Sequence, residues 1–330
     1  MSERTPQSPP IIQPVSDDLP RPLWSVMIPT FNCSRYLIKT ISSVLAQDPG
    51  PAIMQIQVVD DGSIDADVEA IVKSVGKGRV EFFRQQENVG SLRNFETCIN
   101  RATGHYIHLL HGDDYIKEGF YEEIEMLFKS FPTAGAAFTA YTYVAEQNER
   151  LYESRDLTTV PSIIPDFLLQ IAAGQLIQPP AIVVKRSVYQ TLGSFYGVHY
   201  GEDWVMWVRI AANFPVAASP KNLAYYRVHQ QNITSRYFLS GQSITDAITV
   251  MQMIRQFVPA SSVDAIAQLQ KKHIAHYFAR SADKVYHEHH EPLVAFEQAK
   301  RSMQLYFSRI TLFYYFKILL KRLLRYKIKS

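Results

Sequence analysis

Disulfide chemistry has almost no material in this chain: its 330 residues include two cysteines, Cys33 and Cys98. That is too few for a disulfide framework or a multi-cysteine zinc site, and it suits a reducing compartment. Nothing around either thiol points to a depressed pKa, so both are assigned to packing. Neither charge sign is in excess, with 34 Lys+Arg against 31 Asp+Glu and a formal net charge of +3, which argues against a dedicated nucleic-acid binder. Apolar runs are broken by charges well short of the ~20 residues that cross a bilayer. The N-terminal stretch has neither the basic n-region nor the apolar h-region of a signal peptide. These absences predict a cytoplasmic protein. What the chain does have is material for a core, 47% hydrophobic against 20% charged residues, the composition of a globular fold.

Residues 1–22 are rich in Pro, Ser and Gln and read as a flexible leader. From Trp24 the texture changes. Trp24–Thr30 predicts a buried strand, Ser34 a cap for a helix carrying Leu37, Ile38, Ile41, Val44 and Leu45, and Ile53–Val59 a second strand. A helix through Val68, Ile71, Val72 and Val75 follows, then a strand near Val80–Phe83, a helix over Ser91–Ala102 and a strand at Tyr106–Leu110. Strands alternating with helices imply βαβ crossovers and a mostly parallel sheet flanked by helices, whose ligand site lies at the carboxyl ends of the strands. Further strands are expected at Ala136–Val144, Ala181–Val184 and Leu223–Val228, and helices at Tyr121–Phe128 and Asp203–Phe214. After Ser240 the pattern is helical.

Polar clusters fall where such a sheet places its site. Pro29-Thr30 ends the first strand, Asp60-Asp61-Gly62-Ser63 the second, and His111-Gly112-Asp113-Asp114 the fourth. Carboxylates of this kind hold Mg²⁺ or Mn²⁺ while a substrate's phosphates complete the shell. An aspartate at the second position can accept the imide N–H of uracil or thymine. Each cluster alone is also an ordinary turn; three on one edge carry more weight. Asn88-Val89-Gly90 precedes a helix bearing Arg93 and Asn94, an arrangement that favours an anion. Gly201-Glu202-Asp203-Trp204 opens another helix, giving a carboxylate fit for general base and an indole fit for a sugar face. Helix-dipole stabilisation explains the same acids more simply. Arg227 and His229 close a later strand, the first able to balance phosphate charge and the second to complete a metal shell.

The order and spacing of these motifs, over residues 24–230, resemble the inverting family-2 glycosyltransferases of the GT-A fold. The resemblance implies a Rossmann-like nucleotide-diphospho-sugar transferase domain over 23–235, followed by a helical region over 236–330. It implies Pro29, Thr30, Asp60, Asp61, Arg93 and Asp113 as nucleotide-sugar contacts, Asp114 as metal ligand with His229 as a second candidate, and Asp203 as catalytic base. Glu202 and Trp204 are expected beside the acceptor. Many members carry an aspartate where this chain has His111, so the usual carboxylate trio is a pair here; His111 fits either as a ligand or as a neighbour of one. The implied reaction moves a sugar from a UDP- or dTDP-type donor to an acceptor hydroxyl by single displacement with Mn²⁺ or Mg²⁺. Two other readings are weighed against it. A nucleotidyltransferase acting on a sugar phosphate would usually carry a Gly-rich basic loop after the first strand, where this chain has Pro-Thr-Phe-Asn-Cys. A non-catalytic nucleotide-sugar binding module has no need of a base.

From Ile310 onward there is no acidic residue. Leu312, Phe316, Leu319, Leu320, Leu323 and Leu324 mark one helical face, and Lys317, Lys321, Arg325 and Lys329 another. Two arrangements fit: docking of residues 310–330 on an anionic membrane surface, or packing on the protein with the cations in water. The first would make the acceptor a lipid-linked or cell-envelope saccharide and the protein peripheral on the cytoplasmic face.

Overall fold

Trp24–Thr30 forms β1, and every one of its residues is buried, the condition of a strand covered on both faces. The computed structural model describes residues 4–16, 20–229 and 241–324. After β1 come α1 (Ser34–Leu45), β2 (Met54–Asp60), α2 (Val68–Gly76), β3 (Glu81–Arg84), α3 (Ser91–Arg101), β4 (Tyr106–Leu109), β5 (Tyr115–Ile116) and α4 (Phe120–Ser130). The chain continues through β6 (Ala136–Val144), β7 (Arg150–Glu153), β8 (Ser162–Ile163), α5 (Phe167–Ala173), β9 (Ile182–Lys185), α6 (Arg186–Leu192), α7 (Glu202–Asn213) and β10 (Val216–Arg227). Ser34 is the first helical residue rather than a cap, and its hydroxyl donates to Asp65 at 2.8 Å. β10 begins seven residues before the expected strand. Ser219-Pro220-Lys221-Asn222 interrupts the apolar pattern inside it, and the pairing with β6 shifts register there, as a proline within a strand requires.

Among the described residues the strands form one sheet in the order β3-β2-β1-β4-β9-β6-β10-β5, with β7 paired to β6 and β8 to β10. β3, β2, β1 and β4 run parallel, as do β6 and β10, while β9 is antiparallel to both β4 and β6. The fold is therefore mixed α/β with a mostly parallel sheet. Hydrogen bonding continues past the carboxyl ends of the central strands: Asp61 N donates to Thr30 O at 2.9 Å and Gly112 N to Pro29 O at 3.0 Å. This fixes three polar turns side by side. His108 on β4 is a core residue, stacked on Phe120 and held neutral because burial pushes its pKa down to about 3.

The chain divides into two compact units, Met1–Phe167 with Leu176–Val228, and Leu168–Gln175 with His229–Ser330. The expected boundary after residue 235 lies outside the described residues. The leader differs from its expectation: residues 4–16 are tied to the first unit. Pro6 O accepts from Gly197 N and Pro10 O from Ser194 N, both at 2.9 Å, and Ile12 is buried. Prolines lose little chain entropy on ordering and keep their carbonyls as acceptors, so a composition poor in apolar residues can still be fixed in place. Buried Arg186 secures the far end, donating to Ile99 O, Ala102 O and Gln13 O. Burial lowers its pKa to about 10, which leaves it charged at neutral pH.

The second unit contains α8 (Gln242–Arg255), α9 (Val263–Glu288), α10 (Pro292–Leu305) and α11 (Arg309–Leu323). Ala275, Ala279 and Ala282 of α9 and Ala295 and Ala299 of α10 are fully or almost fully buried, small residues that let these helices approach closely. Asp283 of α9 accepts from Lys317 at 2.7 Å and Lys321 at 2.8 Å. Burial works against the charged form of Asp283, but the two lysine hydrogen bonds prevail and hold its carboxyl below the usual range. Lys317 and Lys321 thus serve the packing of α11, while Arg325 and Lys329 lie outside the described residues. Among the described residues no helix is long and apolar enough to cross a membrane.

Replacing Arg186 with Met, which cannot donate to the three carbonyls, should lower unfolding free energy by about 3 kcal/mol. Urea denaturation reads this directly; an unchanged midpoint would contradict the role given to the guanidinium.

Candidate active site

The turn after β2 is braced from within. The carboxylate of Asp60 accepts from Ser63 N at 3.2 Å, from the Ser63 hydroxyl at 2.5 Å and from Arg84 at 2.9 Å, and its side chain is fully buried. These partners make it the brace of the turn rather than the nucleotide contact that the resemblance implied. Asp61 reaches forward instead. Its Oδ1 accepts from Val89 N at 2.8 Å, and its Oδ2 from Gly90 N at 3.0 Å and Asn88 Nδ2 at 2.9 Å. A carboxylate has about four acceptor positions, and these partners occupy three of them. Burial raises the Asp61 pKa, opposed by the Val89 and Gly90 amides and by the charge of Arg4. Arg93, expected to meet a phosphate, donates to Glu96 on its own helix at 2.7 Å.

The turn after β4 carries the densest chemistry. Gly112 lets it lie against the turn after β1, since a Cβ there would stand 2.8 Å from Thr30 Oγ1 and 3.0 Å from Cys33 Sγ. His111, Asp113 and Asp114 bring one ligand atom each within 4.8 Å of one another. His229, the imidazole expected here, is not in that group. His111 stacks on Phe95, and burial lowers its pKa, which favours a neutral, ligating ring. Asp114 is 1% exposed. Its Oδ1 accepts from Arg227 N at 2.8 Å, whereas its buried Oδ2 has no hydrogen-bond partner among the described residues. Burial, and secondarily the charge of Asp113, push its pKa well above the carboxylate range. A carboxylate so placed needs a proton or a cation.

Arg227 holds this arrangement from behind. Its guanidinium donates to Asp113 O and Glu146 O at 2.8 Å and to Asn148 Oδ1 at 2.9 Å, and stacks over Tyr36 at 4.6 Å. It braces backbone carbonyls, where the sequence suggested a phosphate partner.

At the start of α7, Glu202 and Asp203 line a small hollow together with His111, Phe95, Phe195 and Trp207. The candidate base and the histidine of the metal-capable group therefore face one space. Asp203 Oδ1 accepts from Trp204 N at 2.7 Å. Trp204, expected as a sugar platform, is buried, and the indole lining the hollow is that of Trp207. Trp207 stands one helical turn after Asp203, a spacing that puts both on one face and could have revealed it. Tyr141 and Tyr143 also escaped the sequence reading. Burial raises both phenols, with a contribution from the negative charge of Asp203 nearby.

Comparison with known proteins agrees with this geometry. Residues 25–193, more than half of the chain, match the profile described as Glycosyl transferase family 2. The chain belongs to that family. A relative named "Uncharacterized glycosyltransferase MG025", from Mycoplasma genitalium, is 31% identical over 130 residues, covering 39% of this chain and 43% of that protein. An uncharacterised protein of Mycobacterium tuberculosis, MT1568, is 26% identical over 244 residues, covering 70% of this chain and 75% of that protein. Among solved structures, Staphylococcus aureus TarS 1–349 in complex with UDP-GlcNAc aligns over 92% of this chain and 93% of that one, at 16% identity and a TM-score of 0.64. That likeness shows the GT-A fold.

In this glycosyltransferase, Asp61→Asn replaces an acceptor that holds the Asn88–Gly90 loop with a group that is a donor at one end. Stability should fall by about 1–3 kcal/mol, read by thermal or urea unfolding; an unaltered transition would mean that the loop does not depend on the carboxylate.

Proposed function

We propose that the protein is an inverting glycosyltransferase that moves a sugar from a uridine or thymidine diphosphate donor to a saccharide or lipid-linked acceptor hydroxyl. The observation that carries this is the shared hollow: Asp203 and Glu202 on one side, and His111 of the His111–Asp113–Asp114 group on the other. The TarS fragment of similar fold is described in complexes with UDP-GlcNAc and UDP, which supports a uridine diphosphate donor. Asp203 takes the proton of the acceptor hydroxyl as that oxygen attacks the anomeric carbon. The bond from that carbon to the diphosphate breaks on the opposite face, and the configuration inverts. One base suffices, without the close carboxylate pair of a retaining hydrolase.

Asp114 Oδ2, Asp113 and a neutral His111 fit a divalent cation, because a buried carboxylate oxygen without a hydrogen-bond partner is a ligand position waiting to be neutralised. When bound there, Mn²⁺ or Mg²⁺ would supply charge stabilisation to the departing diphosphate. A nitrogen donor in the set suits Mn²⁺ better than Mg²⁺.

The acceptor side has support from α11. Phe313, Phe316, Leu320 and Leu323, spaced three and four apart, are 59%, 50%, 55% and 69% exposed and form one apolar stripe. Arg309 and Arg322 belong to the same helix, so the stripe suits the interfacial plane of an anionic membrane and a lipid-linked acceptor. Flotation with anionic vesicles should recover the wild-type chain and lose a Phe313→Ser, Phe316→Ser, Leu320→Ser variant; equal recovery would remove the membrane from the account.

The reaction is tested by incubating the protein with Mn²⁺ and a panel of UDP- and dTDP-sugars, following nucleoside diphosphate release and product configuration. Turnover that depends on pyrophosphate would point to nucleotidyl transfer instead. Asp203→Asn should reduce transfer by about 10²–10⁴-fold while leaving donor affinity within about twofold, since the change alters the proton acceptor alone. A large loss of donor binding in that variant would contradict its assignment as base.

A further inference from the structure

The N-terminal arm reaches the same rim. Arg4 Nη2 donates to Asn88 Oδ1, and Asn88 Nδ2 donates in turn to Asp61 Oδ2. The amide orientation is forced, because the end that serves Asp61 must be the donor and the end left for Arg4 the acceptor. Gly90 makes room for the cation. A Cβ there would lie 3.4 Å from Arg4 Nε and 3.6 Å from Nη2, and its φ of +89° already favours glycine. The guanidinium thus rests against the Asn88–Gly90 loop beside the Asp61 carboxylate. Among the described residues the guanidinium hydrogen-bonds to Asn88, which leaves most of its five N–H donors open.

The arm is anchored, too. Thr5 Oγ1 is 2.7 Å from His199 Nε2, and His199 Nδ1 is 3.2 Å from Ser91 Oγ at the start of α3. Pro6 O and Pro10 O hold the 193–197 loop, which leads into α7 and Asp203, and Gln13 N donates to Asn100 at the other end of α3 at 3.0 Å. Residues 4–13 therefore bridge the loop over Asp61 and the segment that positions the base.

We propose that residues 4–13 are a strap belonging to the donor site, and that Arg4 binds the nucleotide base by donating to a pyrimidine carbonyl next to Asp61. The inference rests on the transferase reading of Asp61. A uracil or thymine imide edge presents a carbonyl acceptor beside an N–H donor. Asp61, with one acceptor position open, and Arg4, with donors open, present the complementary pair. Neither half does this alone: the carboxylate cannot meet the carbonyl, and the guanidinium cannot meet the N–H.

The test uses the full chain, with UDP and UMP as probes, in calorimetric titrations with Mn²⁺. Arg4→Ala should weaken both ligands by the same factor, about tenfold for one charge-assisted hydrogen bond, and Arg4→Lys should recover part of that loss. Because Arg4 is exposed, the melting temperature of both variants should match wild type. Donor KM should rise while kcat stays near its wild-type value, a split that a purely structural strap would not produce. Equal affinities in wild type and Arg4→Ala would overturn the proposal, and tighter binding in the variant would make the arm a blocking segment. A loss confined to UDP would move the guanidinium to the diphosphate and overturn the base contact. A wild-type chain that binds neither ligand would instead overturn the transferase reading itself.

Discussion

The candidate site depends on how one carboxylate is held. Asp114 is almost wholly removed from water, with one oxygen fixed by the Arg227 backbone N–H and the other without a hydrogen-bond partner among the described residues. In a low-dielectric setting that second oxygen is costly unless a proton or a cation joins it. The surroundings keep the cost from relaxing. Arg227 cannot turn toward the carboxylate, because its guanidinium is committed to the carbonyls of Asp113 and Glu146 and to Asn148. The Thr40 hydroxyl, which donates to Asp114 O at 2.6 Å and lies 3.0 Å from Gly112 O, pins the turn from below. What remains adjustable is the occupant, and the neighbouring His111 and Asp113 supply further ligand atoms.

Much of the sheet was legible because its first half alternates buried strands with amphipathic helices, and period is the strongest local signal. β1 matched residue for residue, and β2, β3, α3 and β4 fell within a residue or two of expectation. The second half was less so. β10 contains a proline and a register shift that no local pattern announces, and β5 and β8 are two residues long, formed by pairing and not by propensity. The site follows the same divide. Motifs at strand ends drew attention to Asp61, Asp113 and Asp114, and the start of a predicted helix to Asp203, which lines one hollow with His111. The surroundings of their neighbours could not be read in advance, because Asp60 as a brace of its turn and Arg227 as a clamp on carbonyls depend on partners distant in sequence. The leader was misjudged for a related reason. Composition measures how much apolar surface a segment can bury, whereas residues 4–16 are fixed mainly through their backbone carbonyls.

Family membership and local chemistry constrain different parts of the account. The match over residues 25–193 ends before α7, so it reaches the aspartates of the sheet edge and stops short of Asp203. The hollow that joins Asp203 to His111 supplies the link between them. The arm lies outside the matched segment on the other side, upstream of β1. Both additions converge on the 193–201 segment, which the arm grips and α7 continues. A donor site built this way would couple recognition of the nucleotide to placement of the base through one short loop.

The most direct test is to locate the cation. Crystals grown with UDP and Mn²⁺, measured at the manganese absorption edge, should show an anomalous peak within ligand distance of Asp114 Oδ2 and of His111 or Asp113, with the diphosphate on its open side. Manganese bound elsewhere, with Asp114 Oδ2 protonated and donating to a protein oxygen, would contradict the central claim that this buried oxygen is held for a metal ion.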